Sequence, residues 1–479
     1  MNGPEYNNRF GAGASASFIN PVVLVLMLLA IVLMLLLPRK WVVVPFLLTI
    51  FLTPFGQQVY IGGVHFFIPR ILILFGWIRI AWTKMSGQSE VASGGFTSID
   101  KVFILWAIFR ATATYLEFLE VGALVNQIAF LWDTLGGFFL LRFLIRDEED
   151  IARVAKTFGF IVGILALTML NEKFHAQNVF GYIGGRLSPF IRDGAIRSQG
   201  PFAGPIPAGT FAATIMSLFI WLWKSGKAKV AGSIAIVAAT VMVVTSASST
   251  PLLAYMAVIL GILMWPLRGK MRKVRYGIVF AIIGLQLVMK APFWFLINHI
   301  DFVSGNSGYH RAMLVDMCVR HFWDWWLIGV KSTQDWGWDM WDQANQFVSE
   351  AESGGLATLI CFILLVSRNF GRIGNARKLV EDEPKKQWLF WLLGVALFSH
   401  VVSFFGISFN DQSEYGWYAL LAIIAAATAP ILHQAHSKTF SEVNIAMAGP
   451  ARFANAFSRV AKPKLPPKVF SVKKTFGAH

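Results

Sequence analysis

Charge is what this chain has least of. Only 14% of its 479 residues are Asp, Glu, Lys or Arg, where a soluble globular protein carries about 25%. Hydrophobic residues reach 56%, and the mean hydropathy is +0.58. A surface so poor in charge cannot be held in water, which points to an integral membrane protein. Cysteine is nearly absent, with Cys318 and Cys361 alone, and this excludes a disulfide-stapled scaffold. Acidic residues are fewer than basic ones, 26 against 42. In a membrane chain that excess serves to fix orientation, and no nucleic-acid partner is expected. The sequence shows no Walker loop, dinucleotide fingerprint, internal repeat or metal-spaced Cys/His cluster. No cofactor and no metal are therefore expected.

What is present is a succession of apolar segments. A helix needs roughly 20 mainly apolar residues to cross about 30 Å of hydrocarbon. Segments of that kind centre on 19–37, 41–55, 65–83, 102–118, 121–145, 155–170 and 205–223, then on 230–246, 251–267, 276–298, 353–367, 388–408 and 416–432. The pattern predicts an all-α polytopic bundle of about twelve to thirteen transmembrane helices over 1–432, with a partly helical periplasmic loop. Nothing reads as a cleavable signal peptide.

Lys and Arg gather in alternate connections: Arg39-Lys40, Lys84, Arg146 with Arg153, Lys224 to Lys229, Arg268 to Arg275, and Arg368 to Lys386. Their placement predicts a cytoplasmic C-terminus and an outer N-terminus. The tail from 433 to 479 is basic and Pro-punctuated. It reads as mostly disordered, touching anionic headgroups of membrane lipids.

Two outward connections are long, 171–204 and 299–352, and both carry cations against the charge rule. The first holds Arg186, Arg192 and Arg197; the second holds Arg311, Arg320 and Lys331. Guanidinium groups match phosphate oxygens in a two-pronged fork, so these cations fit an anionic ligand. They equally fit pairing with Asp193, Glu172 or lipid phosphate. Residues 309–324 have helical spacing. Arg320 lies between Asp316 and Asp324 at i±4, a salt-bridge row, whereas Arg311 has Val315 at i+4. In Asp335-Trp336-Gly337-Trp338-Asp339-Met340-Trp341-Asp342, Trp338 offers a sugar-stacking face or an interfacial anchor. Asp342, Asn345, Ser349 and Glu352 recur at spacings of 3, 4 and 3. They form one polar stripe entering a span, where it must face protein or a wet cavity, unless it is simply an acidic helix start. Arg110 and Asp133 lie at similar depth on consecutive spans and are expected to pair. His400 is expected to be an interior hydrogen-bonded residue.

Four stretches in order resemble the O-antigen ligase and polymerase superfamily over roughly 180–430. They are Arg197-Ser-Gln-Gly-Pro-Phe-Ala-Gly-Pro, Ser307-Gly-Tyr-His-Arg311, Trp326-Leu-Ile-Gly329-Val, and Ala344-Asn345-Gln-Phe-Val followed by Glu352-Ser-Gly-Gly-Leu356. The chain departs from the family in two places: Ala344 stands where the family has His, and Ser248-Ser249-Thr250 where it often has Ser-Arg-Gly. The resemblance implies a glycosyltransferase of the bacterial inner membrane, acting in O-antigen or exopolysaccharide biosynthesis. Its donor would be a polyprenyl-pyrophosphate-linked glycan and its acceptor a sugar or glycolipid. Arg197 and Arg311, with Arg186, Asn345 and Trp338, would bind substrate. Asp342 or Glu352 would serve the acceptor hydroxyl in place of the missing histidine. The alternative is a non-catalytic transporter or assembly subunit for polysaccharide export.

Overall fold

A computed structural model describes residues 17–447 except 63, 86–94, 301–306, 343 and 410, without the side chains of 298–300, 307 and 436–447. It divides into two compact units, residues 1–431 and 432–479. Every apolar segment marked in the sequence overlaps a helix, although 65–83 begins in a strand and 276–298 runs on past the end of its α-helix at 288. The first unit opens with α1 (Pro21–Leu36), whose N-cap Asn20 accepts from the Val22 amide, and α2 (Arg39–Leu52). A hairpin, β1 (Gln58–Ile61) with β2 (Val64–Phe67), leads into α3 (Ile68–Met85). The next helix is α4 (Ser98–Phe118), started by a capping box of Thr97 and Asp100. Next, α5 (Val121–Leu131) and α6 (Gly137–Leu144) are joined through a π-helical turn at Trp132–Gly136. The long α7 (Glu148–His175) follows, and then the hairpin of β3 (Phe190–Arg192) and β4 (Ala195–Arg197). Three helices come after it: α8 (Pro205–Ser225), α9 (Lys229–Thr245) and α10 (Ser249–Leu263).

The chain continues through α11 (Met271–Val288), α12 (Ser307–Arg320) and the short α13 (Phe322–Trp325). It closes with α14 (Gln346–Leu379), α15 (Pro384–Ser403) and α16 (Ser413–Met447). In the second unit the described residues, 432–447, are helical. The described start of the tail, 433–447, is thus helical, and the rest of the segment expected to be mostly disordered lies outside the described residues.

Among the described residues five helices are long and apolar enough to cross a membrane: Val121–Leu144, Glu148–His175, Pro205–Ser225, Gln346–Leu379 and Ser413–Ala435. A sixth is counted if Ser249–Leu263 and Trp265–Val288, bent by 75°, are one span. Helices α1 and α9 are apolar but shorter. The 16 residues of α1 rise only about 24 Å. An apolar helical bundle suited to a membrane is thus present, with fewer full-length crossings than the pattern predicts.

The bundle interior is aromatic. Phe51 stacks on Phe211 at 4.3 Å between centroids, and Phe103 on Phe138 at 4.2 Å. At one end of the helices, Arg39 donates to the Leu144 carbonyl, Lys227 pairs with Glu148 at 3.1 Å, and Arg377 donates to the Arg268 carbonyl. Basic connections thus meet at that end. The loops described next are at the other.

Candidate functional site

Arg197 owes its position to a two-residue turn. Asp193 and Gly194 both have positive φ, 51° and 72°, the combination a tight right-twisted hairpin turn requires. Beyond β4 the chain is fastened at nearly every residue. Ser198 donates its amide to the Thr245 carbonyl and its hydroxyl to Met169. The Glu172 carboxylate accepts from the Gln199 and Gly200 amides, each at 3.0 Å. Gly200 has φ +58°, and Asn178 Nδ2 donates to its carbonyl at 2.7 Å. The Arg197 guanidinium then reaches the α9–α10 turn, where Nη2 donates to Ser248 Oγ. Its Nε makes no hydrogen bond among the described residues. Burial pushes the Arg197 pKa below its ordinary value, and neighbouring Arg192 pushes the same way. A guanidinium in that setting gains from an anion.

The second loop brings Arg311 near Thr250, in the first turn of α10. Arg311 is 7% exposed, on the first part of α12. A Cβ on Gly406 would meet Thr250 Oγ1 at 2.5 Å and Arg311 Nε at 3.3 Å, so all three groups crowd one point. Thr250 Oγ1 donates to the Gly406 carbonyl at 3.1 Å. The α9–α10 turn is pressed against α8, where a Cβ on Gly209 would fall 2.5 Å from Ser246 Oγ. Ser248 and Thr250, marked in the sequence only as a departure from the family, thus lie two residues apart, the first bound by Arg197 and the second near Arg311 across Gly406.

The α15–α16 connection, overlooked in the sequence, ties these parts together. The Asp411 carboxylate accepts from the Ala203 amide at 3.3 Å and from the Ser413 amide and hydroxyl. Gln412 donates to the Pro201 carbonyl at 3.0 Å, and the Phe404 carbonyl accepts from the Gln346 amide at 2.8 Å. Burial raises the Asp411 pKa, against its hydrogen bonds. The run Asn410-Asp411-Gln412-Ser413-Glu414 between two apolar spans was the available signal.

Helix α14 corrects the polar stripe. It starts at Gln346, with Asn345 as N-cap accepting from the Phe347 and Val348 amides. Asn345 Oδ1 is therefore committed to capping, while its buried Nδ2 has no hydrogen bond among the described residues. Asp342 lies before the helix and off the stripe. Its carboxylate faces His310 Nε2 at 3.4 Å, beside Arg311. Ser349 and Glu352 are buried, at 3% and 2% exposed.

The helix then breaks. Gly355 has φ 71° and ψ −171°, a conformation essentially confined to glycine. The Trp326–Val330 turn docks into the break: the Val330 amide donates to the Glu352 carbonyl at 2.8 Å, and the Leu356 amide to Trp326 at 2.9 Å. Two stretches of the family resemblance therefore pack on each other.

The expected Arg110–Asp133 pair is not formed. Asp133 instead binds Arg70 at 2.8 Å, while Arg110 binds Glu350 at 3.2 Å. Glu350, fully buried, also accepts from Trp106 and from Gln346 at 2.7 Å. Glu350 lies one turn from Gln346, at i+4, on a strip of α14 next to that of Ser349 and Glu352. Arg320 binds Asp316 at 2.6 Å as expected, but Asp324 pairs with His321. Arg186 is exposed and lies over Phe190 at 4.0 Å; Trp338 is 94% exposed. No hydrogen bond, ion pair or ring contact among the described residues joins either to the arginine pair. His400 is buried, with Nδ1 on the Ala396 carbonyl. The two cysteines are free and buried.

Beside Glu352 lies a cleft of about 250 Å³, lined by Arg110, Thr114, Glu117, Asn126, Gln127 and Lys331 among others. Phe118 and Phe130 add ring faces to it. Glu352 is six residues along α14 from Gln346, roughly 9 Å of rise, so α14 links the cleft to the α15–α16 connection, which the Gln346 amide meets at the Phe404 carbonyl. No group of His, Cys, Asp and Glu among the described residues could hold a metal ion. No family model, curated protein or solved structure matches the chain.

Proposed function

We propose that this protein is a glycosyltransferase-like enzyme of the bacterial inner membrane. It would move or polymerise glycan from a polyprenyl-pyrophosphate-linked donor on the outer face, in O-antigen or exopolysaccharide biosynthesis. What supports this reading is that Arg197 and Arg311, from two separate long loops, lie at Ser248 and near Thr250, two residues apart in the chain. Two guanidinium groups fixed in a loop cluster match the charge that develops on a departing pyrophosphate. In the reaction the acceptor hydroxyl forms a bond to the anomeric carbon as the bond from that carbon to the pyrophosphate oxygen breaks. The hydroxyl proton must go to a base.

The family's loop histidine is Ala344 here, and His310 is the base we assign. Its Nε2 lies 3.4 Å from the Asp342 carboxylate without a hydrogen bond among the described residues, a contact that would tighten as the ring takes the acceptor proton. Asp342 then acts as a positioning residue rather than as the base itself. Glu352 lines the cleft, whose amides, carboxylates and rings suit a hydroxyl-rich acceptor.

A transporter is the second reading, favoured by the break at Gly355, because discontinuous helices build substrate sites in transporters. Purified protein given lipid-linked donor and acceptor decides between the two. Release of polyprenyl pyrophosphate with glycan transfer is expected for the enzyme; donor binding without release under every acceptor tried supports transport or assembly. Deletion of the gene, followed by sizing of surface polysaccharide, separates loss of long chains, loss of attachment and loss of export.

A further inference from the structure

Away from the arginine cluster, at the basic end of the bundle, two cavities adjoin. The first, about 660 Å³, is lined by Glu149, Arg153, Lys156 and Lys227 together with Trp41 and Phe160. The second, about 360 Å³, is walled by leucines of α1 and α2, including Leu26, Leu33 and Leu52. They share Trp41, Val44, Leu48 and Phe160, so they form one groove with a charged end and an apolar end.

The charged end is built on one face of α7, where Glu149, Arg153, Lys156 and Phe160 follow at spacings of 4, 3 and 4. Most of the cations there are already placed. Arg153 binds Asp150 and lies 5.0 Å over the Trp41 ring; Lys227 is held by Glu148 at 3.1 Å. Lys156 has no ion pair among the described residues. Arg153 and Lys227 each have an acid of their own, Asp150 and Glu148, so Lys156 is the lining cation left to meet an anion at this end of the groove. The apolar end keeps Leu26 and Leu29 exposed at 40% and 52%. From Trp41 to Thr53 the groove follows twelve residues of α2 and its cap. That is roughly 18 Å of rise, about the depth of one leaflet of a ~30 Å hydrocarbon core. Trp41, where the two ends join, is at the depth that tryptophan favours in a bilayer.

We infer that this groove is a binding site for an anionic diacyl phospholipid, its phosphate on Lys156 with Arg153 and Lys227 alongside, and an acyl chain between α1, α2 and Phe160. Basic pockets between helices at the cytoplasmic side are suited to such headgroups. The site is independent of the glycan reading.

The test uses the full-length protein in mild detergent with added lipid, scored by native mass spectrometry. Phosphatidylglycerol should be retained in preference to phosphatidylethanolamine. Lys156→Gln, at an exposed position, should lower phosphatidylglycerol retention roughly five-fold, the effect of one lysine at a membrane surface, and leave phosphatidylethanolamine unchanged. Leu48→Trp, which fills the shared wall, should lower retention of phosphatidylglycerol without altering headgroup preference. Equal retention of the two lipids, a preference unmoved by Lys156→Gln, or tighter binding of a polyprenyl phosphate than of phosphatidylglycerol would each overturn the assignment.

Discussion

His310 Nε2 stands 3.4 Å from the Asp342 carboxylate, and Arg311 is its immediate neighbour in α12. A histidine thus lies in the 299–352 loop ahead of Ala344, on a different element from the position where the resembled family carries one. A positioned base is worth roughly 10²–10⁴-fold in rate. His310→Ala is expected to lower glycan transfer by that order with donor binding retained. Asp342→Asn should lower it less, and the double variant should be no worse than His310→Ala. Additive losses in that cycle would show that the two groups act separately. Unchanged transfer in both would leave Glu352 as the carboxylate to test, by Glu352→Gln.

Arg197 and Arg311 are expected to be intolerant of substitution. Each change to Ala should reduce transfer ~10²-fold or more, as for loss of a group that stabilises developing charge. Lys should restore only part, because it lacks the planar fork. Arg320 is the control. Its side chain is 67% exposed and held by one bridge to Asp316, so Arg320→Ala should cost at most about 1 kcal/mol and little activity. Turnover assays at matched membrane levels check all three; an essential Arg320 beside a dispensable Arg311 would reverse the assignment.

The two native thiols report on packing. Burial pushes the Cys318 thiol up to about 12, and the Glu352 charge nearby adds to it. Its thiolate is therefore scarce at pH 8, and maleimide should label Cys318 only after denaturation. Cysteine placed at Asp335 in a cysteine-free background should label from outside in intact cells. Labelling there only after permeabilisation would put the 299–352 loop on the other side and remove the site with it.

Helices were far more legible in the sequence than the contacts between them. Apolar runs mark helices directly, because every backbone group in hydrocarbon must be satisfied within its own segment. Which charges meet depends on helix rotation and packing, which the runs do not encode. Arg110 therefore found Glu350 rather than Asp133. The Arg320–Asp316 bridge was readable because it is local, at i,i+4. The two arginines were readable only as two separate loops, since Ser248–Thr250 and Gly406, beside which they lie, are more than 150 positions apart. Asp342 was read onto the helix because spacing alone does not reveal that Asn345 caps it.

Glu350 should matter for stability rather than for chemistry. It is fully buried and bound by Arg110, Trp106 and Gln346. Removing one partner of a buried pair leaves the other charge uncompensated, at about 3–5 kcal/mol. Glu350→Ala is expected to lower the thermal midpoint in detergent strongly, and Asp133→Ala should not add to the loss in an Arg110→Ala background beyond its own effect on Arg70. Strong coupling between Arg110 and Asp133 in such a cycle would restore the pairing read from the sequence.

The break in α14 is the most exposed point of the architecture to a single methyl group. At Gly355, φ is 71°, and a Cβ would lie 2.6 Å from the Leu327 carbonyl oxygen. Across the contact, Gly329 has φ 97°, and its Cβ would lie 2.2 Å from the Glu352 carbonyl oxygen. Neither obstacle is a flexible side chain, so the two backbones must part. Backbone strain of this kind costs about 1–3 kcal/mol before any clash is counted. Gly355→Ala and Gly329→Ala are each expected to lower the thermal midpoint. They should also free the amides of Val330 and Leu356, which bond across the break, giving faster hydrogen exchange there and unchanged exchange in α8. Because the two glycines serve one contact, the double variant should be less destabilised than the sum of the singles. A Gly355→Ala protein with wild-type stability and exchange would mean that α14 runs straight through this point, and that the docking of the Trp326–Val330 turn contributes nothing to the shape of the cleft beside Glu352.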